Sequence, residues 1–135
     1  MESLIESIKR HEGCRLFPYI DTQDNVTIGW GRCLDKTGIS QQEADSMLTN
    51  DLTRCEQDYY RLPETVRKNC SKQRKDILCE MIFQLGYMGV LKFKRMLGAI
   101  AANDFERASN EMLNSLWARQ TPNRVAEMSE WMRAG

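Results

Sequence analysis

The stretch that decides the fold is residues 12–31, which read Glu12-Gly-Cys-Arg-Leu-Phe-Pro-Tyr-Ile-Asp21-Thr-Gln-Asp-Asn-Val-Thr27-Ile-Gly29-Trp-Gly31. Glu12 ends a helical pattern, and the polar run 21–25 followed by alternating apolar residues indicates strand, turn and strand. Thr27 alternates with the apolar Val26 and Ile28, so its side chain is predicted to point to the opposite face of the strand. A helix end and a hairpin therefore bring two carboxyls and a hydroxyl towards one small space.

This arrangement is typical of a site that cleaves a glycosidic bond, where one carboxyl protonates the leaving oxygen and the other handles water or the sugar cation. Each residue alone also has a simpler interpretation. Glu12 could be a solvated surface charge, Asp21 could cap its own turn, and Thr27 is a good strand residue. Only their combination favours catalysis.

Composition limits the class of protein. The 135 residues fit one domain with one substantial core, with 41% hydrophobic and 28% charged residues. The formal net charge is zero, which argues against a nucleic-acid partner and against a helical nucleic-acid-binding regulator. No apolar run approaches the ~20 residues of a membrane span, so no stable membrane association is expected.

The five cysteines lack metal-ligand spacing, and His11 is the sole histidine. We therefore expect no metal, no cofactor and free thiols, which are typical of a chain made in a cytoplasm. The N-terminus has no apolar signal core. If the substrate lies outside the cytoplasm, a separate holin or export route is implied.

Helical signals dominate the rest of the chain. Residues 3–11 are predicted to form a short amphipathic helix that ends near Gly13, and Ser40-x-x-Glu43 is a capping box that opens a longer helix. The other predicted features are a buried helix at residues 77–85 that stops at Gly86, a short segment at 90–97, a helix capped by Asp104 that extends to Leu116, and a last helix opened by Thr121-Pro122.

The predicted fold is α+β and mainly helical. A small hairpin lobe with a connecting helix (about 13–60) and a helical lobe (about 61–135 plus 1–12) are expected to flank a substrate cleft in a single domain.

The chain resembles the phage-type lysozymes, glycoside hydrolase family 24, over most of its length and in the right order. The matching residues are Glu12-Gly13, Arg15-Leu16, Tyr19, Asp21-Thr22, Thr27-Ile28-Gly29, Gly31, Ile39, Glu43-Ala44, Phe83-Gln84-Leu85-Gly86-Tyr87-Met88-Gly89-Val90, Phe93, Trp117 and Gln120-Thr121-Pro122-Asn123-Arg124. The resemblance implies a lysozyme-like fold and a muramidase activity.

The resemblance also implies catalytic roles. Glu12 would be the general acid, with a pKa raised by burial or a nearby negative charge, and Asp21 would be the ionised partner that stabilises positive charge at the anomeric carbon. Thr27 would hold the attacking water. The family is taken to invert configuration, which requires room for that water.

Further residues are assigned by the same match. Arg124 is expected to pair with Glu12 and orient it, although it could simply compensate charge in the last helix. Phe83 and Gln84 are expected to line the sugar groove, although Phe83 could equally be a core residue. Trp30 is a candidate stacking face for a sugar, whereas Trp117 and Trp131 are assigned to packing.

Several positions depart from the family pattern. Arg32 and Cys33 replace a common histidine and leucine, which puts one ion pair and one sugar contact in doubt. The link from Gly31 to Ile39 is shorter than in the longest members. Met96 and Glu111 stand where those members carry polar binding residues, so no binding role is assigned to them.

The sequence thus predicts a monomeric endolysin that hydrolyses the β-1,4 bond between N-acetylmuramic acid and N-acetylglucosamine in peptidoglycan and lyses the host cell. It would be made in the host cytoplasm and act on the cell wall or in the periplasm. The alternative from another class is a non-catalytic peptidoglycan-binding or assembly protein on the same fold. Transglycosylation in place of hydrolysis also stays open.

Overall fold

The computed structural model describes all 135 residues. Helices make up 67% of the chain and the strands form one small antiparallel sheet, which confirms the predicted α+β class. The elements are α1 (Leu4–Glu12), β1 (Arg15–Ile20), β2 (Val26–Gly29), β3 (Arg32–Cys33), α2 (Leu34–Thr37), α3 (Gln41–Tyr59), α4 (Glu64–Arg67), α5 (Lys72–Leu85), α6 (Tyr87–Leu91), α7 (Lys94–Ala101), α8 (Phe105–Leu113), α9 (Leu116–Gln120) and α10 (Pro122–Ala134).

The chain divides into two compact units, which we call the N-terminal unit (Met1–Met47) and the C-terminal unit (Leu48–Gly135). The lobe boundaries expected from the sequence, including the assignment of residues 1–12 to the helical lobe, stay a prediction. None of the helices combines the length and the apolar character that crossing a membrane requires. All five cysteines are free thiols.

The N-terminal unit begins with a capped helix. Ser3 and Glu6 form a reciprocal capping box at the start of α1, and the helix ends at Gly13, whose φ is 70°. Gly13 suits this end because a positive φ costs glycine little. The helix predicted at residues 3–11 is thus confirmed to within one residue.

The sheet of the N-terminal unit has the order β1-β2-β3. Tyr19 pairs with Thr27 across the predicted hairpin, and Thr27 pairs with Cys33 on its other side. Asp24 takes a positive φ of 68° in the turn, a conformation that aspartate tolerates better than most residues. The sequence did not predict the two-residue β3 or the short helix α2, because neither is long enough to show a period.

The C-terminal unit holds the apolar core. The buried helix predicted at residues 77–85 is α5, in which Ile77, Leu78, Met81 and Ile82 are buried and after which Gly86 ends the helix. Helix α8 packs against α7 and α10, and α10 also packs against α5. Trp117 is 3% exposed and belongs to this core, whereas Trp131 is 38% exposed.

Two predicted boundaries in the C-terminal unit differ from the structure. The segment expected at 90–97 is divided between α6 and α7, and Leu116 begins a separate helix, α9. The caps were better predicted. Asp104 accepts the backbone N–H of Arg107 at 3.1 Å, and Thr121-Pro122 opens α10 with proline in its first turn.

Candidate active site

Glu12 is the last residue of α1, and its carboxyl is exposed in the N-terminal unit. It lies directly beside Gly31 at the far end of the hairpin. A methyl group built on Gly31 would lie 2.9 Å from Glu12 Oε2, closer than such atoms pack, and 3.1 Å from its Cδ, which is tighter than most such contacts. Gly31 also has a φ of 85°. The absence of a side chain at residue 31 therefore makes the space that the Glu12 carboxyl occupies.

The Asp21 carboxylate caps the hairpin turn that it begins. Its Oδ1 accepts the backbone N–H of Gln23 at 2.8 Å and that of Asn25 at 2.9 Å. The N–H of Asn25, with that of Gln23 and the nearby charge of Lys36, holds the pKa of Asp21 below its usual range. Such bonds favour the charged form of a carboxyl. The turn-capping interpretation of Asp21 is therefore correct, and the same bonds keep the carboxylate ionised.

Thr27 is buried, with 3% of its surface exposed. Its hydroxyl donates to the carbonyl oxygen of Asn25 at 3.0 Å. Asp21 and Thr27 thus bind the two backbone polar groups of the same residue, Asn25. The hairpin holds both candidate side chains by one shared backbone segment.

Trp30 lies between Gly29 and Gly31 and is 45% exposed. Lys9 Nζ lies 5.0 Å from the centroid of its ring, a distance at which a cation and a ring attract each other. Its assignment as a stacking face for a sugar stays a prediction.

The residues expected to line the sugar groove are in the C-terminal unit, on α5. Phe83 is 45% exposed, so its alternative assignment to the core is wrong. It lines a surface cavity of about 410 Å³ with Leu48, Leu52 and Arg124. Gln84 Oε1 accepts the indole N–H of the buried Trp117 at 2.9 Å, which gives that tryptophan the partner that burial requires. Sugar contacts by either residue stay predictions.

Arg124 makes an ion pair within the C-terminal unit. Its Nε donates to Glu80 Oε2 at 2.9 Å, joining α10 to α5. The expected pairing of Arg124 with Glu12 stays a prediction. Glu80 could not have been singled out from the sequence, because it is 44 residues away along the chain and has no motif of its own.

The structure adds two contacts near the hairpin that sequence reasoning missed. Asp35 Oδ2 accepts the backbone N–H of Val26 at 2.7 Å. Arg32 donates through Nη1 and Nη2 to the two carboxylate oxygens of Glu43, at 2.8 and 2.7 Å. Replacement of the common family histidine by Arg32 put the ion pair of that histidine in doubt. In this chain Arg32 forms an ion pair with Glu43. No group of His, Cys, Asp and Glu side chains is placed to hold a metal ion.

Comparison with known proteins identifies the family of the chain. The family model described as "Phage lysozyme" matches residues 9–131. A Dictyostelium discoideum protein described as "Probable T4-type lysozyme 1" is 30% identical over 92% of this chain and 89% of its own length. A second protein of that organism, "Probable T4-type lysozyme 2", is 29% identical over the same shares.

A protein of Enterobacteria phage T4, "Pre-baseplate central spike protein Gp5", is 30% identical over 94% of this chain. The chain spans only 27% of the length of that spike protein. Because the family model matches well over half of the chain, the chain belongs to the phage lysozyme family, and this membership supports a muramidase-type glycoside hydrolase with peptidoglycan as its substrate.

Proposed function

We propose that this protein is an endolysin-type muramidase that hydrolyses the β-1,4 bond between N-acetylmuramic acid and N-acetylglucosamine and thereby lyses the host cell. The observation that carries the proposal is the hairpin, where an ionised Asp21 and a buried Thr27 are tied to the same residue, Asn25. A purely binding protein would not require Glu12, Asp21 and Thr27 together.

The proposed roles follow from the hydrogen bonds. Glu12 donates its proton to the glycosidic oxygen. The two backbone N–H bonds to Asp21 both use Oδ1, and its ionised carboxylate stabilises positive charge at the anomeric carbon and places a water. The Thr27 hydroxyl gives its hydrogen to Asn25, and its oxygen lone pairs are then available to accept a hydrogen from that water.

The remaining residues support these roles in the proposal. Arg124 orients Glu12, and Phe83, Gln84 and Trp30 contact the sugars. The protein acts as a monomer on glycan strands of the cell wall or periplasm, is made in the host cytoplasm, and depends on a separate holin or export route. It needs no cofactor and binds no nucleic acid.

Turbidity loss of outer-membrane-permeabilised cells tests the proposal. Wild type is expected to clear the cells, and Glu12→Gln and Asp21→Asn are expected to lose at least about 100-fold in rate, because each removes a group that acts on the reacting bond. Clearing by Glu12→Gln at the wild-type rate would contradict the role of Glu12. The mass of the released fragments separates hydrolysis from transglycosylation, whose anhydro product lacks one water.

A second function has one observation in its favour. The relative from phage T4 is described as a central spike protein, which fits a non-catalytic peptidoglycan-binding or assembly role on the same fold. Under that alternative, wild type would bind insoluble peptidoglycan without releasing soluble fragments. Release that depends on Glu12 would exclude it.

A further inference from the structure

One peptide group of the hairpin connects Thr27 to Asp35, and its carbonyl oxygen also accepts the backbone N–H of Asp21 at 3.0 Å. It is the group between Asn25 and Val26. Its carbonyl oxygen accepts the Thr27 hydroxyl at 3.0 Å, and its N–H donates to Asp35 Oδ2 at 2.7 Å. A peptide group is planar, so the bond at the N–H end also fixes the direction of the carbonyl. Asp35 at the N–H end and the backbone N–H of Asp21 at the carbonyl end therefore hold the orientation of the acceptor that orders the Thr27 hydroxyl.

The sheet does not provide an acceptor for the Val26 N–H. Strand β3 ends at Cys33, which pairs with Thr27, and the chain enters α2 at Leu34. No residue of β3 is therefore left to pair with Val26. The carboxylate of Asp35, in the first turn of α2, accepts the N–H in place of a strand carbonyl. A charged acceptor makes a stronger bond than a neutral one.

Helix α2 is held at its other end as well. The carbonyl oxygen of Gly38, just after α2, accepts Arg32 Nη1 at 3.1 Å. The same guanidinium binds Glu43 through both carboxylate oxygens. Because α2 has only four residues, these contacts leave the Asp35 carboxylate little freedom to leave Val26. Lys36, the next residue, places its charge near Asp21.

We propose that Asp35 is a positioning residue, which acts through the Asn25–Val26 peptide group to hold Thr27 and Asp21 in their reactive arrangement. This inference rests on the proposed muramidase function. Asp35 itself does not contact the reacting atoms. Its effect is on the geometry of the groups that do, and a displacement of such groups by about 1 Å costs on the order of 100-fold in rate.

The test compares Asp35→Ala, Asp35→Asn and the matched control Thr37→Ala. Thr37 also lies on α2 and is exposed, and its side chain makes no hydrogen bond. Turnover of soluble peptidoglycan fragments is measured well below the unfolding temperature of each variant. Asp35→Ala is expected to lower kcat about tenfold or more with KM unchanged. Asp35→Asn is expected to recover most of kcat, because its amide oxygen can accept the same N–H.

Hydrogen exchange of the Val26 amide gives a second measurement, independent of activity. Exchange should accelerate in Asp35→Ala and stay near the wild-type rate in Asp35→Asn and Thr37→Ala. Wild-type kcat in Asp35→Ala, or an equal kcat loss in Asp35→Ala and Thr37→Ala, would overturn the proposal. If wild type itself shows no turnover, the proposed function fails. The anchoring by Asp35 is refuted separately if the exchange rate of the Val26 amide is the same in Asp35→Ala as in wild type.

Discussion

Gly31 controls the position of Glu12 through the side chain that it lacks. The prediction is that Gly31→Ala loses at least about tenfold in clearing rate, because its Cβ would lie 2.9 Å from Glu12 Oε2 and force the carboxyl to move. The substitution also places a side chain at a φ of 85°, which costs on the order of 1 kcal/mol. Both rate and unfolding free energy are to be measured.

Gly29→Ala is the matched control for Gly31→Ala. Gly29 has a φ of 68°, and a methyl group built there meets nothing within 4 Å. It therefore carries a similar backbone cost without the contact with Glu12. We expect similar unfolding free energies for the two variants and a much larger rate loss for Gly31→Ala. Equal rates would show that the position of Glu12 does not depend on Gly31.

At the scale of elements, the contact between β3 and the start of α3 depends on charge. Glu43 binds Arg32 through both oxygens, and this pair with the N–H of Ser40 lowers the pKa of Glu43 from 4.5 to about 2. The folded-state pKa lies below the unfolded one, so the pair stabilises the fold above about pH 4.5. That stability is lost as the pH falls through 2.

The corresponding variant is Glu43→Gln. Glutamine can replace glutamate in a capping box with Ser40, so the substitution removes the ion pair and keeps the cap. Wild type should withstand more urea than Glu43→Gln at pH 7, and the difference should shrink as the pH falls from about 4.5 through 2. A difference of the same size at pH 2 and at pH 7 would mean that charge is not the cause.

The elements predicted best are those whose signal is local. Ser40 accepts the N–H of Glu43 at 3.1 Å and donates its own N–H to Glu43 at 2.9 Å, as the four-residue motif predicts. Gly86, which has a φ of 78°, ends α5 at the predicted residue, and its signal is local as well. Helices of four or five residues, such as α2 and α6, carry too few positions to show a period. They form because the chain around them fixes their ends.

The residues of the candidate site likewise divide into those with a local signal in the sequence and those without one. Glu12, Asp21 and Thr27 could be singled out because they lie within one short stretch, and the family resemblance assigned their roles. Asp35 could not be found, because its partner is a backbone N–H, which has no signature in the sequence. Glu80 could not be found either, since it binds Arg124 from a helix 44 residues away. Contacts that join distant elements depend on the packing of the whole chain.

At the scale of the whole molecule, the apolar core and the candidate catalytic residues lie in different units. Every buried apolar side chain lies between Cys55 and Met132, in the C-terminal unit, and Thr27 is the one buried residue of the N-terminal unit. Burial of apolar surface contributes about 25 cal/mol per Å². The N-terminal unit, which carries Glu12, Asp21 and Thr27, is therefore expected to have the smaller intrinsic stability.

Hydrogen exchange checks this difference. The amides of β1 and β2 are expected to exchange through openings of lower free energy than those of α5, α8 and α10, because fewer apolar contacts must be broken. Met112→Ala, at a fully buried residue, should lower the opening free energy of the amides of the C-terminal unit by about 2–5 kcal/mol. Met47→Ala, at a residue that is 53% exposed, should change it by less than about 0.5 kcal/mol.

The outcome bears on how the active site is maintained. If the hairpin opens more easily than the helical core, the hydrogen bonds of Asp21, Thr27 and Asp35 have to hold the reactive geometry without help from a buried apolar layer. Local anchors would then matter more for rate than for global stability, as the variants at residues 31 and 35 are designed to show. Equal opening free energies in both units would instead mean that the chain unfolds as one cooperative structure, and the site would share the stability of the core.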